Sequence, residues 1–513
     1  MKSLKKTTKY IVAVSLLFAL TTGCKDFLDT EPQGDYTSGT YPYPNGSGPF
    51  DGEIFAAYDV LRSYDASGSG FIAATSIRSD DADKGSTPTD GPTSKEMDDF
   101  SLIPTNGLVD GLWKGYYNLI AKANIVLDKV EKDQDPGTPE DSKIYAQAEA
   151  RFLRGYAYFM LVRFFGKVPL VDKVYDDASQ QSNIPQSDVT ALYTFIENDL
   201  IFAGANLPPD WDPTKFPGRA TSGAANGILA KVYLTQQKWG LAMSAAKRVI
   251  DSKKYDLKTE YKNIFGEEGE NSSESVFEIQ ATASLTEKRN NGSQFASIQG
   301  VRGAGDWNLG WGFNVPSAQL NAAYEANDPR KARTFLAVGQ PSVYNEVFTT
   351  ANLTANAPTV YNHKVHSNPA RRRALLDNFS YWMNIRILRY ADVVLMYAEA
   401  ANELGGTDNT TEALSALNSV RARARIGAPA GTLSDITTTN QSDLRDAIRH
   451  ERRIELAMEH DRFFDLVRWG IAGQVLQNAG KNFVTGTHEL LPIPSNQIQI
   501  SKNVLKQNPG YPN

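Results

Sequence analysis

Cysteine is nearly absent: the 513 residues include one, Cys24. A disulfide framework, a Cys-rich zinc site and a CxxC redox centre each need more than one, so all three are excluded. Histidine is scarce as well, and the five present (His363, His366, His450, His460, His488) are a thin supply for transition-metal chemistry. His450-Glu451 begins like a metalloprotease HExxH helix, but residue 454 is Ile and the second ligand is missing. His363 and His366 have a ligand-like spacing, yet Arg371-Arg372-Arg373 nearby would repel a cation, and both read as solvated loop histidines. An excess of positive charge is also lacking. The 53 Lys and Arg against 59 Asp and Glu leave a net charge of −6, whereas a nucleic-acid binder needs a basic patch to replace phosphate counterions. No nucleic-acid partner is expected. No GxSxG elbow, Walker loop or dinucleotide fingerprint occurs. Nor does any stretch approach the eighteen or so apolar residues of a membrane-spanning helix.

What is present is a globular composition, 41% hydrophobic and 10% aromatic, spread along a chain long enough for several structural units. The N-terminus reads as an export signal. Lys2, Lys5, Lys6 and Lys9 precede an apolar run, Ile11 to Leu20, too short to span a bilayer. Thr21-Thr22-Gly23 then leads into the lone Cys24. Small residues before a solitary cysteine predict a lipoprotein signal over 1–23 and acylation of Cys24, with several acyl chains holding the chain to a membrane. Thr21 stands where such signals prefer Leu. The alternative is a secretory peptide cut nearby, with Cys24 left as a free thiol.

Residues 24–50, rich in Pro, Gly, Ser and Tyr, read as an irregular tether. Helical periodicity follows in blocks over 51–255. Ile54, Ala57, Tyr58 and Leu61 share one face, as do Trp113, Tyr116, Tyr117, Ile120, Asn124 and Leu127, and then Phe152, Tyr156, Phe159 and Val162. Further helices fit Val189–Ile201, Thr221–Thr235 and Leu241–Ile250. The order Ala230, Tyr233, Trp239, Ala242, Ala246, Val249 is that of a tetratricopeptide-type helix pair, in which alanines allow close approach and rings fill the angle between helices. A second such pair starts at Tyr390 in the segment 384–513. Between them, 256–383 is a long loop-rich excursion with only short strand-like runs such as Val276–Ile279. Long ordered loops are usually functional, so this excursion is expected to present a ligand. The fold class is therefore mainly α: tetratricopeptide-like pairs carrying an irregular subdomain with a few short strands.

Three C-terminal stretches carry a resemblance. They are Leu388-Arg389-Tyr390-Ala391-Asp392 through Ala400, Glu451-Arg452-Arg453-Ile454-Glu455-Leu456 through Arg462–Gly470, and Leu491-Pro492-Ile493-Pro494 followed by Gln507-Asn508-Pro509-Gly510-Tyr511. With the Cys24-Lys25-Asp26-Phe27-Leu28-Asp29 start, they resemble the SusD/RagB family of outer-membrane lipoproteins. The resemblance implies four tetratricopeptide-like units in an α-α superhelix, a cell-surface location, and a SusC-like TonB-dependent transporter over which the lipoprotein closes as a lid. It also implies a captured nutrient, usually a glycan and in some members a peptide. The motif residues themselves read as fold-holding: Glu451, Arg452, Arg453, Glu455, Glu459, Asp461 and Arg462 are expected to pair at i,i+3 and i,i+4 along a helix.

The candidate ligand site is Arg302-Gly303-Ala304-Gly305-Asp306-Trp307-Asn308-Leu309-Gly310-Trp311-Gly312-Phe313-Asn314. Sugars lay apolar C–H faces on aromatic rings and hydrogen-bond through their hydroxyls to amides, carboxylates and guanidinium groups. Trp307, Trp311 and Phe313 offer rings; Arg302, Asp306 and Asn308 offer polar groups; the glycines would let a ligand approach the backbone. The other reading is that these rings pack the subdomain. Trp211 in a Pro-rich loop is a weaker candidate of the same kind, as are Phe216, Tyr41 and Tyr43. Asp80, Asp81 and Asp83 are the only nominees for a structural calcium site, without the DxDxDG pattern. No cofactor and no catalytic residue are expected. Two other functions stay open: a surface glycoside hydrolase, and a scaffold that holds proteins on its helical pairs.

Overall fold

Where the expected periodicities run, a computed structural model places helices; it describes residues 48–213, 215–286 and 289–512. Cys24, Tyr41, Tyr43 and the signal segment lie outside the described residues. Among the described residues, nine helices have eleven residues or more: α1 (Asp51–Leu61), α2 (Gly107–Lys132), α3 (Glu140–Phe165), α4 (Val189–Asn206), α5 (Ser222–Thr235), α6 (Trp239–Asp251), α7 (Tyr390–Leu404), α8 (Thr407–Ala424) and α9 (Gln441–Glu455). Their starts follow capping chemistry. The Asn106 side chain accepts from the Leu108 and Val109 amides at the head of α2, and Thr221 Oγ1 accepts from the Ala224 amide, 3.1 Å, at the head of α5. Gly405 and Gly406, both at positive φ, end α7 and turn the chain into α8.

Each helix packs on the next from α1 to α8, and α9 returns onto α7. This makes a row of helical hairpins. The spacing that hides a regular repeat in the sequence comes from one insertion: α6 and α7 are neighbours, yet residues 252–389 intervene between them. The chain leaves and returns through a two-stranded antiparallel ladder of β2 (Ser275–Ile279) on β6 (Ile385–Arg389), so the excursion is closed at its base. Within it, β4 (Phe335–Ala337) pairs with β5 (Val360–Asn362), while β3 (Phe313–Pro316) pairs with β1 (Ala82–Gly85) from the N-terminal part. A separate apolar core of Val301, Trp307, Leu309, Val315, Leu336, Phe348 and Tyr361 fills the lobe. The main core runs along the helices, where α5 is buried on every side from Gly223 to Leu234.

Close approach of helices is specified by small residues. A Cβ on Gly115 in α2 would lie 2.8 Å from the Asp65 carbonyl carbon and 2.9 Å from the Ala66 amide nitrogen, both backbone atoms that cannot step aside. Gly115→Ala is expected to lower stability by roughly 1–3 kcal/mol despite alanine's better helix propensity. A denaturant titration reads this, and a stabilised variant would contradict the close contact.

The acidic and basic motif residues pair across the fold and not along one helix. Successive residues of α9 fan out by about 100°. Glu451 meets Arg330 and Arg421, Arg452 meets Asp392 (2.8 Å) and Asp465, and Arg453 meets Asp80 (2.8 Å) and Asp81 (2.7 Å). Glu455 binds Arg330, Arg389 and Arg423, and Glu459 binds Lys364 and Arg389. The i,i+3 and i,i+4 expectation is thus corrected, because these side chains point into a protein interior where desolvated charges need close partners from other elements.

Candidate functional site

The segment 300–314 folds as a tight turn on the lobe. Arg302 and Asn308 form an antiparallel bridge across it, the Trp311 amide donates to Ser297 O (2.8 Å), and the Gly312 amide donates to Gly300 O (2.9 Å). Two of the glycines serve the chain itself. A Cβ on Gly310 would sit 2.0 Å from Ser297 O, and one on Gly303 would sit 2.4 Å from Trp307 O. These two make room for neighbouring backbone, whereas a Cβ on Gly305, at the exposed tip, would meet nothing within 4 Å.

This turn sorts the predicted residues by exposure. Trp307 is 8% exposed, 5.0 Å from the Phe348 ring and stacked 5.8 Å from His366, so it packs the lobe's core and offers no free face. Trp311 is 49% exposed. Phe313 is half-buried on β3, against the position of Gly91 and 5.6 Å from Lys84 Nζ. Arg302 reaches Asp90 at 2.7 Å and Ser86 at 3.3 Å, which bridges the turn to the β1 loop. Asp306 and Asn308 are exposed at the turn's tip. Trp211 is likewise a packing residue: its indole donates to Ala220 O (2.7 Å), Arg219 lies 4.2 Å over its ring, and Tyr145 meets it edge-on.

Exposed Trp311 does not stand alone. The Phe379 ring lies 6.3 Å from it and the Tyr381 ring 6.2 Å further on, both half-buried. Arg289 lies 4.2 Å over Tyr381 and 5.1 Å over Phe379, held there by two hydrogen bonds to Asp377 of 3.0 and 3.1 Å. Three loops of one lobe therefore converge on an aromatic arc with a guanidinium–carboxylate pair beside it. Beyond Trp311, its members escaped the sequence reading. The run Phe379-Ser380-Tyr381-Trp382 was the available signal, but only the fold separates its outward rings from Trp382, which is 3% exposed. Flat rings and planar polar groups at a surface suit a ligand with apolar faces and a hydroxylated rim.

The calcium nominees are otherwise engaged. Asp80 accepts from Arg462 at 2.8 and 3.0 Å and pairs with Arg453, Asp81 pairs with Arg453, and Asp83 is exposed on β1. Among the described residues no group of three or more His, Cys, Asp or Glu side chains is placed to hold a metal ion. His363 and His366 are buried, in contrast to the solvated reading. His363 Nδ1 is 2.7 Å from Ala332 O and its Nε2 accepts from the Val343 amide. Burial pushes His366 down to about 4, and it lies 3.4 Å from Glu346.

Comparison with known proteins agrees with the architecture. Residues 349–511 match the SusD family, and residues 63–234 match the family described as starch-binding associating with outer membrane. A SusD-like protein of Bacteroides ovatus is 30% identical over 497 residues, covering 91% of this chain and 83% of that protein. Among solved structures, a laminarin binding SusD-like protein superposes with a TM-score of 0.75 at 29% identity, over 91% of this chain and all of that one. Surface glycan-binding protein A from Bacteroides thetaiotaomicron, in complex with laminarihexaose, also reaches 0.75, at 25% identity over 90% of this chain and 98% of its own. Helical pairs, inserted lobe and C-terminal motifs all fall inside these matches: the chain belongs to the SusD family.

Proposed function

We propose that this protein is a lipid-anchored glycan-binding protein of the outer-membrane surface that captures an oligosaccharide without cleaving it. The observation that carries the reading is the surface arc of exposed Trp311 and half-buried Phe379 and Tyr381, flanked by the Arg289–Asp377 pair. Support comes from relatives whose names record laminarin and laminarihexaose binding. The rings take the apolar faces of successive sugar units, and Arg289, Asp377, Asn308 and Asp306 supply donors and acceptors for hydroxyls. Because Arg289 and Asp377 already hold each other, little side-chain entropy is lost when a ligand joins them. Anchoring through Cys24 and partnership with a SusC-like TonB-dependent transporter complete the proposal. A ligand preferring the closed state of such a pair shifts the lid only by the difference in its two affinities.

The test is a glycan array followed by calorimetry on the purified chain, with laminarihexaose among the probes. Saturable binding of an oligosaccharide with no new reducing ends is the expected result. Turnover of the bound glycan would favour a surface hydrolase instead. Co-purification with a barrel transporter and no glycan binding would favour a scaffold.

A further inference from the structure

A second cavity, of about 480 Å³, lies where the excursion meets the end of α8, and its lining is unlike the aromatic arc. It is bordered by Tyr261, Lys262, Arg333, Asn345, Arg423 and Ile426, among others. Two of its cations are spoken for. Lys262 pairs with Glu260 at 2.8 Å, and Arg423 is held by Glu274 and Glu455. Arg333 differs. It is 2% exposed and makes no ion pair among the described residues, with Glu268 acting on it only from beyond ion-pair distance. Its Nε donates to Lys262 O (3.0 Å) and its Nη1 to His363 O, both backbone carbonyls of residues lining the cavity, while its Nη2 has no hydrogen-bond partner among the described residues. His363 adds no counter-charge, since its two nitrogens are satisfied by Ala332 O and the Val343 amide.

Most other buried guanidinium groups in this protein are matched by carboxylates, and Arg330, Arg389, Arg423 and Arg452 each meet at least two. Arg78 is an exception, but its guanidinium lies 4.2 Å over the Phe463 ring and donates to the His488 and Leu490 carbonyls, packed in the protein interior. Leaving one without an anion is costly in a medium of low dielectric, and carbonyl dipoles offset only part of that cost. The volume is within the range of small-ligand sites. We propose that this cavity is a second ligand site, selective for an anionic substituent, a carboxylate or sulfate, whose oxygens complete the coordination of Arg333. Planar carboxylate oxygens fit the guanidinium fork, and a sulfate oxygen pair offers the same spacing. A uronate-bearing or sulfated saccharide would present either group. The site is independent of the aromatic arc, so the two proposals fail separately.

Calorimetric or NMR titration of the purified chain with sodium glucuronate, sodium sulfate and, as the neutral control, glucose tests it. One or both anions should bind saturably and glucose should not; which anion binds identifies the source. Arg333→Gln should weaken the anion at least tenfold. Because Arg333 also ties two backbone segments, Ile426→Glu is the companion variant. Ile426 is 53% exposed at the rim, so a carboxylate there repels the anion without touching the interior, and a severalfold loss is expected. Trp311→Ala should leave anion binding unchanged. Absence of binding by both anions, equal binding of glucose, or affinity untouched by Ile426→Glu in a folded protein would overturn the assignment.

Discussion

Replacing Glu455 by alanine is expected to cost about 3–5 kcal/mol of stability, the range for removing one partner from a buried ionic cluster. Glu455 is wholly buried at the end of α9. Its carboxylate binds Arg389 at the end of β6, Arg423 in α8, and Arg330 in the excursion. Its backbone carbonyl accepts from the Tyr261 hydroxyl (3.1 Å) and Lys364 Nζ (3.2 Å). Three guanidinium groups from three parts of the chain would lose one shared anion, with Glu274 and Glu451 left as partial substitutes. The lobe would be released from the helices before the helices separate, so the denaturation curve of Glu455→Ala should lose cooperativity. Glu455→Gln, which keeps volume and an acceptor, should cost less. Equal stability of the alanine variant and the parent would refute the account.

The same cluster should make the fold sensitive to acid through Glu455, although burial shifts Glu274, which shares Arg389 and Arg423 with it, upward and offsets part of the effect. Burial opposes ionisation of Glu455, but Arg423, Arg389 and Arg330 outweigh it and hold its carboxyl well below the usual carboxylate range. Asp392 is held low in the same way, with Lys231 and Arg452 overcoming its burial. A carboxyl with a depressed folded pKa contributes stability above its unfolded value, near 4, and loses it as pH falls toward the folded value. Unfolding should therefore set in below about pH 4, and the decline should be shallower in Glu455→Gln, which has one such proton fewer to take up.

How much of this was legible in the sequence depended on the kind of interaction. Periodic apolar residues located the long helices, because a helix face is written within a few residues; Trp113, Tyr116 and Ile120 in α2 all face the core. The partnership of Arg452 with Asp392, or of Arg453 with Asp80, was not, since the partners are 60 and more residues apart and the charges themselves read as an ordinary helix surface. The neighbouring placement of α6 and α7 was hidden by the excursion between them. For the site, composition singled out the segment around Trp311 but could not divide its rings. Trp307 and Trp311 are four residues apart with similar neighbours in sequence, and the turn at 303–309 puts one inside and the other outside. Phe379 and Tyr381 join Trp311 only through the fold of the lobe.

That division yields the sharpest functional contrast. Trp311→Ala and Tyr381→Ala should each reduce oligosaccharide affinity about tenfold or more, equivalent to roughly 1.4 kcal/mol or above, as for aromatic anchors at other recognition surfaces. Neither should disturb the fold much. Trp311 is half-exposed, and the links that fix these positions, the Trp311 amide to Ser297 O and the Ser293 amide to Tyr381 O, belong to the backbone and survive the substitutions. Trp307→Ala should behave in the opposite sense. Removing an indole packed against Phe348 and His366 opens a cavity in the lobe's small core and costs about 3–5 kcal/mol of stability. Its affinity, measured where the variant is still folded, should fall less than that of Trp311→Ala. Calorimetry at fixed temperature and denaturant titration on the three variants separate the two effects. Because Phe379 touches both outer rings, the double variant of Trp311 and Tyr381 should lose less than the sum of the single losses if one ligand spans the arc. Unaltered affinity in both single variants would move the ligand off this arc, and the Pro-rich loop that carries Phe216, bordering a cavity of about 330 Å³, would then be the next surface to test.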